Sequence, residues 1–292
     1  MAIIIKKAVK FGAKLRLALY GPSGSGKTYT ALSIAREMAG DKRVCVIDTE
    51  RGSASKYADE FDFDVIELDS FHPNSYIEAI KAVVQTGEYS VLVIDSASHE
   101  WEGSKGALEL AGRDFTNWAN VTPLHNKFID AMLIADIHVI ATMRAKEEHV
   151  MEQKEVAGKL KNVVSKKGME PVQRKGMQYE FDIVGALDME NSLTIEKTRC
   201  SRIKGMIVEP GHEVEIVTIV QAWLDGVARV PTAEEIYERG VTKGTWTKQT
   251  FFASASAILD TPVHKENVKT LDAGQLAKLN QAIDTEPAEI AS

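Results

Sequence analysis

Cysteine is scarce in this chain. Cys45 and Cys200 are the only two in 292 residues, and they form no C-x-x-C pair. That excludes a disulfide framework and a cysteine-based metal site. Long apolar runs are also missing, since none approaches the roughly 18 residues of a membrane span. The stretch Met1–Lys7 places its lysines after a very short apolar run, unlike a signal peptide, so the expected location is the cytoplasm. Positive charge is in deficit: 35 Lys and Arg against 42 Asp and Glu leave a net charge of −7. A surface for polyanions therefore has to be a local basic patch. No internal repeat is apparent. The length allows one large α/β domain with a small appendage.

Against these absences stands one dense motif, Gly21-Pro22-Ser23-Gly24-Ser25-Gly26-Lys27-Thr28. It fits the phosphate-loop pattern G-x-x-x-x-G-K-[ST]. Glycines let backbone N–H groups turn inward around an anionic polyphosphate, where bulky side chains would block them. Lys27 supplies a point charge for the terminal phosphates, and the Thr28 hydroxyl is suited to Mg²⁺. Both flanks are right for such a loop. Residues 14–20 read as a strand, and Thr28–Ala39 as a helix closed by Gly40. Gly21, Ser23, Gly24, Ser25, Gly26, Lys27, Thr28 and the adjoining Tyr29 form the expected nucleotide-binding set.

The rest of the chain supplies the rhythm of an α/β fold. Residues 2–9 read as a short leading strand. Val44–Asp48 and Val91–Asp95 are continuous apolar runs closed by an acid, as in strands buried on both faces. Residues 63–68 and 137–142 read as further strands, and Pro73 opens an amphipathic helix to about Gln85. Strands alternating with helices predict a mainly parallel sheet. Residues 145–180 break the rhythm and read as a mobile loop with a helical start. Between 158 and 176 it carries Lys159, Lys161, Lys166, Lys167, Arg174 and Lys175 against Glu170 alone. A hairpin is expected over 181–197 at the sheet edge, then a strand pair or loop at 205–217 and a helix ending near Gly226. That closes a phosphate-loop core over 1–226. Residues 227–292 then form a small helical region, with helices near 233–239, 246–259 and 273–284, for which a cap and a protein-interaction module are both open.

Around the loop, Asp95 ends its apolar strand where a carboxylate can hold Mg²⁺. Glu50, two residues past the 44–48 strand, is the leading group to polarise water, with Glu100 and Asp48 as competitors. Thr142 and Arg144 close a core strand, a position suited to sensing a terminal phosphate. His99 and His138 lack a second ligand at metal spacing.

Val44–Glu50 with Tyr57 seven residues after the glutamate, and Ile94-Asp95-Ser96, resemble the RecA/KaiC branch of phosphate-loop ATPases. Asp95–Gly103 and Thr142–Lys146 resemble, more specifically, phage-encoded nucleotide-binding proteins that include short RecA-like single-strand annealing proteins. The resemblance covers roughly residues 14–220. It implies a RecA-like phosphate-loop fold, ATP and Mg²⁺ as cofactors, Glu50 as catalytic base and Tyr57 stacked on the adenine. It implies too that Lys197 and Arg199 reach a neighbouring subunit's ATP in a ring or filament. The basic residues of 158–176 would then contact single-stranded DNA in phage recombination or annealing, although that stretch offers no aromatic residue to stack on bases before Tyr179 and Phe181. The location would be the host cytoplasm, and the C-terminal helices would offer a surface to a phage protein. A nucleotide-dependent switch or loader acting on a protein partner is the main alternative, and a small-molecule kinase a weaker one.

Overall fold

The computed structural model describes residues 12–156, 159–225, 233–243, 246–247, 250–265, 267–271, 275, 278–279 and 282. The expected strand over 2–9 and most of the expected helix at 273–284 lie outside these residues. Residues 12–224 form one compact unit, and a second begins at Asp225.

The larger unit alternates as its sequence rhythm demands. β1 (Arg16–Gly21) enters α1 (Lys27–Ala39), and β2 (Arg43–Asp48) and β3 (Asp64–Glu67) follow. Next come α2 (Pro73–Thr86), β4 (Tyr89–Asp95), and the helices α3 (Ser98–Glu102), α4 (Ala107–Ala111) and α5 (Trp118–Ile134). The chain continues through β5 (His138–Val156), β6 (Lys159–Pro171), β7 (Ile183–Leu187), β8 (Leu193–Thr198), β9 (Ile207–Val208) and α6 (Glu213–Leu224). The sheet order is β3-β2-β4-β5-β1-β7-β8-β9. Strands β3 to β7 along that path run parallel, β8 runs against them, and β9 pairs antiparallel with β8. This is the mainly parallel α/β fold expected of a phosphate-loop protein.

Alternation along each strand builds two cores at once. Leu17, Leu19, Val44, Val46, Val91 and Val93 pack with α1 and α6 on one face of the sheet. Ala18, Tyr20, Cys45, Ile47, Leu92 and Ile94 pack with α2 and α5 on the other. Both faces are covered, so these strands read as unbroken apolar runs. Burial also pushes the Cys45 thiol up to about 11, so it behaves as a small core residue. Parallel pairing brings Gly21 level with Arg144 and Asp48 level with Asp95, gathering the strand ends at one edge.

Residues 145–171 are not a mobile loop with a helical start. β5 runs on beyond the sheet and pairs antiparallel with β6 from Ala145↔Pro171 to Val156↔Lys159. β-branched and apolar residues spaced among the charges (Val150, Met151, Val156, Val163, Val164) permit an extended ribbon. The charge run hid it. Nor is the 181–197 hairpin terminal in the sheet, since β8 carries β9 on its far side. None of the described helices is long and apolar enough to cross a membrane. In the second unit, α7 (Ala233–Lys243) and α8 (Phe251–Leu259) share a core with Trp246, Val263 and Leu279. A Cβ at Gly240 would stand 2.1 Å from the Trp246 indole, so only glycine admits that ring.

At the opposite edge of the sheet from the phosphate loop, the buried Arg16 side chain gathers carbonyls where α5 turns into β5. Its Nη1 donates to Leu15 O at 2.9 Å and Ile137 O at 2.8 Å, and its Nη2 donates to Leu133 O at 2.9 Å and to Ala135 O. Burial lowers its pKa, with Asp182 and Asp136 opposing. An Arg16→Met substitution fills similar volume yet strips these carbonyls of donors. At about 1–3 kcal/mol for a buried group left unpaired, we expect a loss of at least about 2 kcal/mol, read as a lower urea midpoint.

Candidate nucleotide-binding site

The phosphate loop joins β1 to α1 as its flanks require. Gly24 and Gly26 take left-handed φ values of 83° and 76°. Gly21 is needed for a different reason: a Cβ there would lie 2.5 Å from Ser25 Oγ and 2.6 Å from Leu187 O. The amino terminus of α1 opens into the loop, and its free N–H groups and dipole favour an anion. Ser25 Oγ is buried with no hydrogen-bond partner. Lys27 Nζ donates to Pro22 O at 2.7 Å, and burial lowers its pKa while Asp95 and Glu50 raise it. Above the loop lies a cavity of about 900 Å³, lined by Ser23, Gly24, Lys27, Thr28, Glu50 and Asp95 among others. Its size suits a nucleotide.

At the foot of the cavity Asp95 accepts from two threonines. Thr28 Oγ1 donates to Oδ2 at 2.7 Å, and Thr142 Oγ1 donates to Oδ1. Burial raises the Asp95 pKa, and the two hydroxyl bonds counter this only in part. The Asp95–Ser96 peptide is cis. A carboxylate and a hydroxyl at the mouth of a phosphate loop are hard oxygen donors suited to Mg²⁺.

Glu50 stands at the same edge, beyond β2, and lines the cavity. Arg144 holds it as a fork: Nη2 lies 2.8 Å from Oε2 and Nε lies 3.1 Å from Oε1. The pair is open to solvent, with the Arg144 and Glu50 side chains 45% and 27% exposed. Behind it, His99 Nε2 is 3.8 Å from Glu50 Oε1, while its Nδ1 is 2.8 Å from Thr49 Oγ1 and its ring stacks on Phe71. Burial lowers the His99 pKa, with Glu50 pulling it up.

The competitors have other duties. Asp48 accepts the N–H groups of Glu50 at 2.6 Å and Ala54 at 2.9 Å, which shapes the turn carrying Glu50. Glu100 is 0% exposed, bound 3.1 Å from His125 Nδ1 and 3.1 Å from Gln173 Nε2, and does not line the cavity. His138 accepts the Leu15 N–H at 2.9 Å at the start of β5.

At the outer wall, Tyr29 packs edge-on against Tyr57 at 5.8 Å and Phe61 at 5.1 Å, and both tyrosines line the cavity. The remaining wall escaped sequence reasoning. Asn191, from the β7–β8 turn, donates to Gly24 O at 3.3 Å, and Pro210 and Glu213 come from the approach to α6. These residues lie more than 160 positions after the loop in sequence and belong to no motif; Asn191, at φ 65°, is legible only as a turn residue.

Lys197 and Arg199 do not line this cavity. Val184 pairs with Lys197 in the β7–β8 ladder, which sets both cations toward the far edge of the sheet. Lys197 Nζ donates to Tyr179 O at 2.8 Å, to Gln178 O at 3.3 Å and to Phe181 O, and Arg199 pairs with Asp182 at 3.1 Å. The basic residues of 158–176 do not form one loop either. Lys159, Lys161, Lys166 and Lys167 lie along β6, while Arg174 and Lys175 follow its end. β5, the strand paired with β6, carries Glu147, Glu148, Glu152 and Glu155.

The raised Asp95 pKa fixes a sign. Burial favours its neutral form, so the ionised carboxylate costs stability above the folded-state pKa, and that cost fades as pH falls toward the ordinary carboxylate range. Asp95→Asn should therefore raise the melting temperature at neutral pH without nucleotide or metal. The gap from wild type should narrow in acid. Thermal melts across pH check this.

The comparison with curated proteins found no match. Among solved structures, a RadB recombinase aligns with a TM-score of 0.43 at 17% identity, over 68% of this chain and 86% of that one. Residues 13–214 match the AAA domain family, a span that contains the loop, Glu50, Asp95, Arg144 and Glu213. The chain belongs to the AAA domain family.

Proposed function

We propose that this protein is a RecA-type ATPase that binds and hydrolyses Mg²⁺-ATP and acts on DNA. The observation that carries the reading is the convergence, in one cavity, of the phosphate loop, the Thr28–Asp95 pair, Glu50 and Arg144. In this reading Lys27 exchanges the Pro22 carbonyl for a phosphate oxygen. Thr28 and Asp95 hold Mg²⁺, which supplies positive charge to the triphosphate. Thr142, already bonded to Asp95, reports on occupancy of that position. Glu50 orients a water molecule and accepts its proton, which requires Arg144 to leave the carboxylate. Once released, Arg144 is available to a terminal phosphate, where a guanidinium stabilises charge on the transferring group. Tyr57 and Tyr29 offer a ring and an edge to a purine.

DNA contact and assembly belong to the same proposal. Lysines along β6, with Arg174 and Lys175, would bind phosphates by counterion release, without reading sequence. Lys197 and Arg199 lie outside their own cavity, as cations serving a neighbouring subunit's ATP in a ring or filament would. Their bonds to Gln178, Tyr179 and Asp182 are what such assembly would exchange. A role in phage recombination or single-strand annealing, and a phage protein on the C-terminal helices, complete the reading. The net charge of −7 favours a second one, a nucleotide-dependent switch acting on a protein.

Lys27→Ala should abolish ATP binding. Glu50→Gln should keep it and slow turnover by about 10²–10⁴-fold, since only proton acceptance is lost. Nucleotide titration and single-turnover hydrolysis separate the two effects. Hydrolysis with and without a single-stranded oligonucleotide, over a salt series, tests the DNA reading. Stimulation with salt-dependent binding is expected, and neither response at low salt would leave the protein-partner switch.

A further inference from the structure

The cavity has a negative wall that the triphosphate cannot use. Its phosphate end is set by Gly24, Gly26, Lys27 and Thr28. Ser33 lies six residues after Lys27 on α1, about 9 Å farther along the helix at 1.5 Å per residue. Tyr29 and Ser33 are four residues apart and share a face. Against that face stands Glu213, the first residue of α6, only 5% exposed yet lining the cavity beside Pro210. Ser33 Oγ donates to its Oε2 at 3.2 Å, and Gly211 N–H donates to its Oε1 at 3.3 Å.

These bonds hold the carboxylate in place without exhausting it, because each carboxylate oxygen has two lone pairs. An ionised carboxylate only accepts hydrogen bonds, and it repels phosphate. The amino end of α6 is a place where a helix dipole favours negative charge. Helix stabilisation alone accounts for the Gly211 contact, but not for a buried glutamate that lines the same cavity as the phosphate loop. Tyr29 and Glu213 both line the cavity, and the Tyr29 phenol is raised first by Glu60, with Glu213 a smaller contributor.

We propose that Glu213 reads the nucleoside, accepting a hydrogen bond from a donor on the sugar or base of the bound triphosphate. This rests on the nucleotide reading of the cavity. The donor is either a ribose hydroxyl or an exocyclic amino group, and Glu213 thereby distinguishes a nucleotide from a bare polyphosphate.

The test is calorimetric binding to the full chain with Mg²⁺, comparing ATP with inorganic tripolyphosphate. Glu213→Ala should weaken ATP by about tenfold or more, the loss expected of a hydrogen bond to a charged group, and leave tripolyphosphate unchanged. Glu213→Gln keeps the shape and one acceptor, so its loss should be smaller and in the same direction. Retained tripolyphosphate binding shows that each variant's loop is folded, and the Gln variant decides if the Ala variant is not. Wild-type preference for ATP over 2′- and 3′-deoxy-ATP, erased in Glu213→Ala, assigns the donor to the ribose. The same pattern with purine riboside triphosphate assigns it to the amino group. Unchanged ATP affinity in the Glu213 variants, or a wild type indifferent to all three analogues, overturns the proposal. Failure of the wild type to bind tripolyphosphate, or undiminished binding by Lys27→Ala, overturns the nucleotide reading instead.

Discussion

The Asp95 carboxylate, shared between two threonine hydroxyls, ties together three separate pieces of chain. β4 supplies Asp95, β5 supplies Thr142, and α1 supplies Thr28. The parallel sheet makes the meeting possible, since its strands end at one edge with Asp48 level with Asp95 and Gly21 level with Arg144. Burial disfavours the charge, and two hydroxyls repay part of that cost. A carboxylate whose pKa burial raises, held by two hydroxyls at the foot of the cavity, has the perturbed character that clusters at functional sites.

Charge at the same edge is otherwise divided by distance from solvent. Asp48 is turned onto backbone N–H groups and does not line the cavity, and Glu100 is sealed beneath with His125 and Gln173. Of the acids near the loop considered as a base, Glu50 is the one that reaches the cavity, and its partner is a half-exposed arginine. An exposed pair of this kind is worth only about 1 kcal/mol or less, so exchanging it is cheap. The buried acids fix structure, and the accessible one is left adjustable.

Legibility in the sequence followed the range over which each signal acts. The phosphate loop is eight consecutive residues, and its glycines are explained by their own φ values or by an approach within a few ångströms. Strands buried on both faces declare themselves as apolar runs, so β2 and β4 and the acids that end them could be read directly. The ribbon of β5 and β6 could not, because its pairing is between strands and its charged side chains mask the period of two. Helices α3 to α5 were missed for lack of a long amphipathic repeat. Asn191, Pro210 and Glu213 reach the cavity only because β7 lies beside β1 and α6 packs on α1, a consequence of topology that no local pattern encodes.

Topology also decides how the ribbon is joined to the site. Arg144 occupies the residue at which β5 leaves the sheet, facing Gly21 as its last parallel partner, and Ala145 faces Pro171 as the first pair of the ribbon. Ser98 Oγ accepts the Arg144 N–H at 2.9 Å and donates to Val172 O at 2.7 Å, while Val172 N–H donates to Arg144 O at 2.7 Å. The backbone at the root is therefore pinned from both strands and from the helix that follows Asp95. With the backbone fixed, the side chain is the part of Arg144 left free to adjust, and its solvent-exposed bond to Glu50 is a weak one.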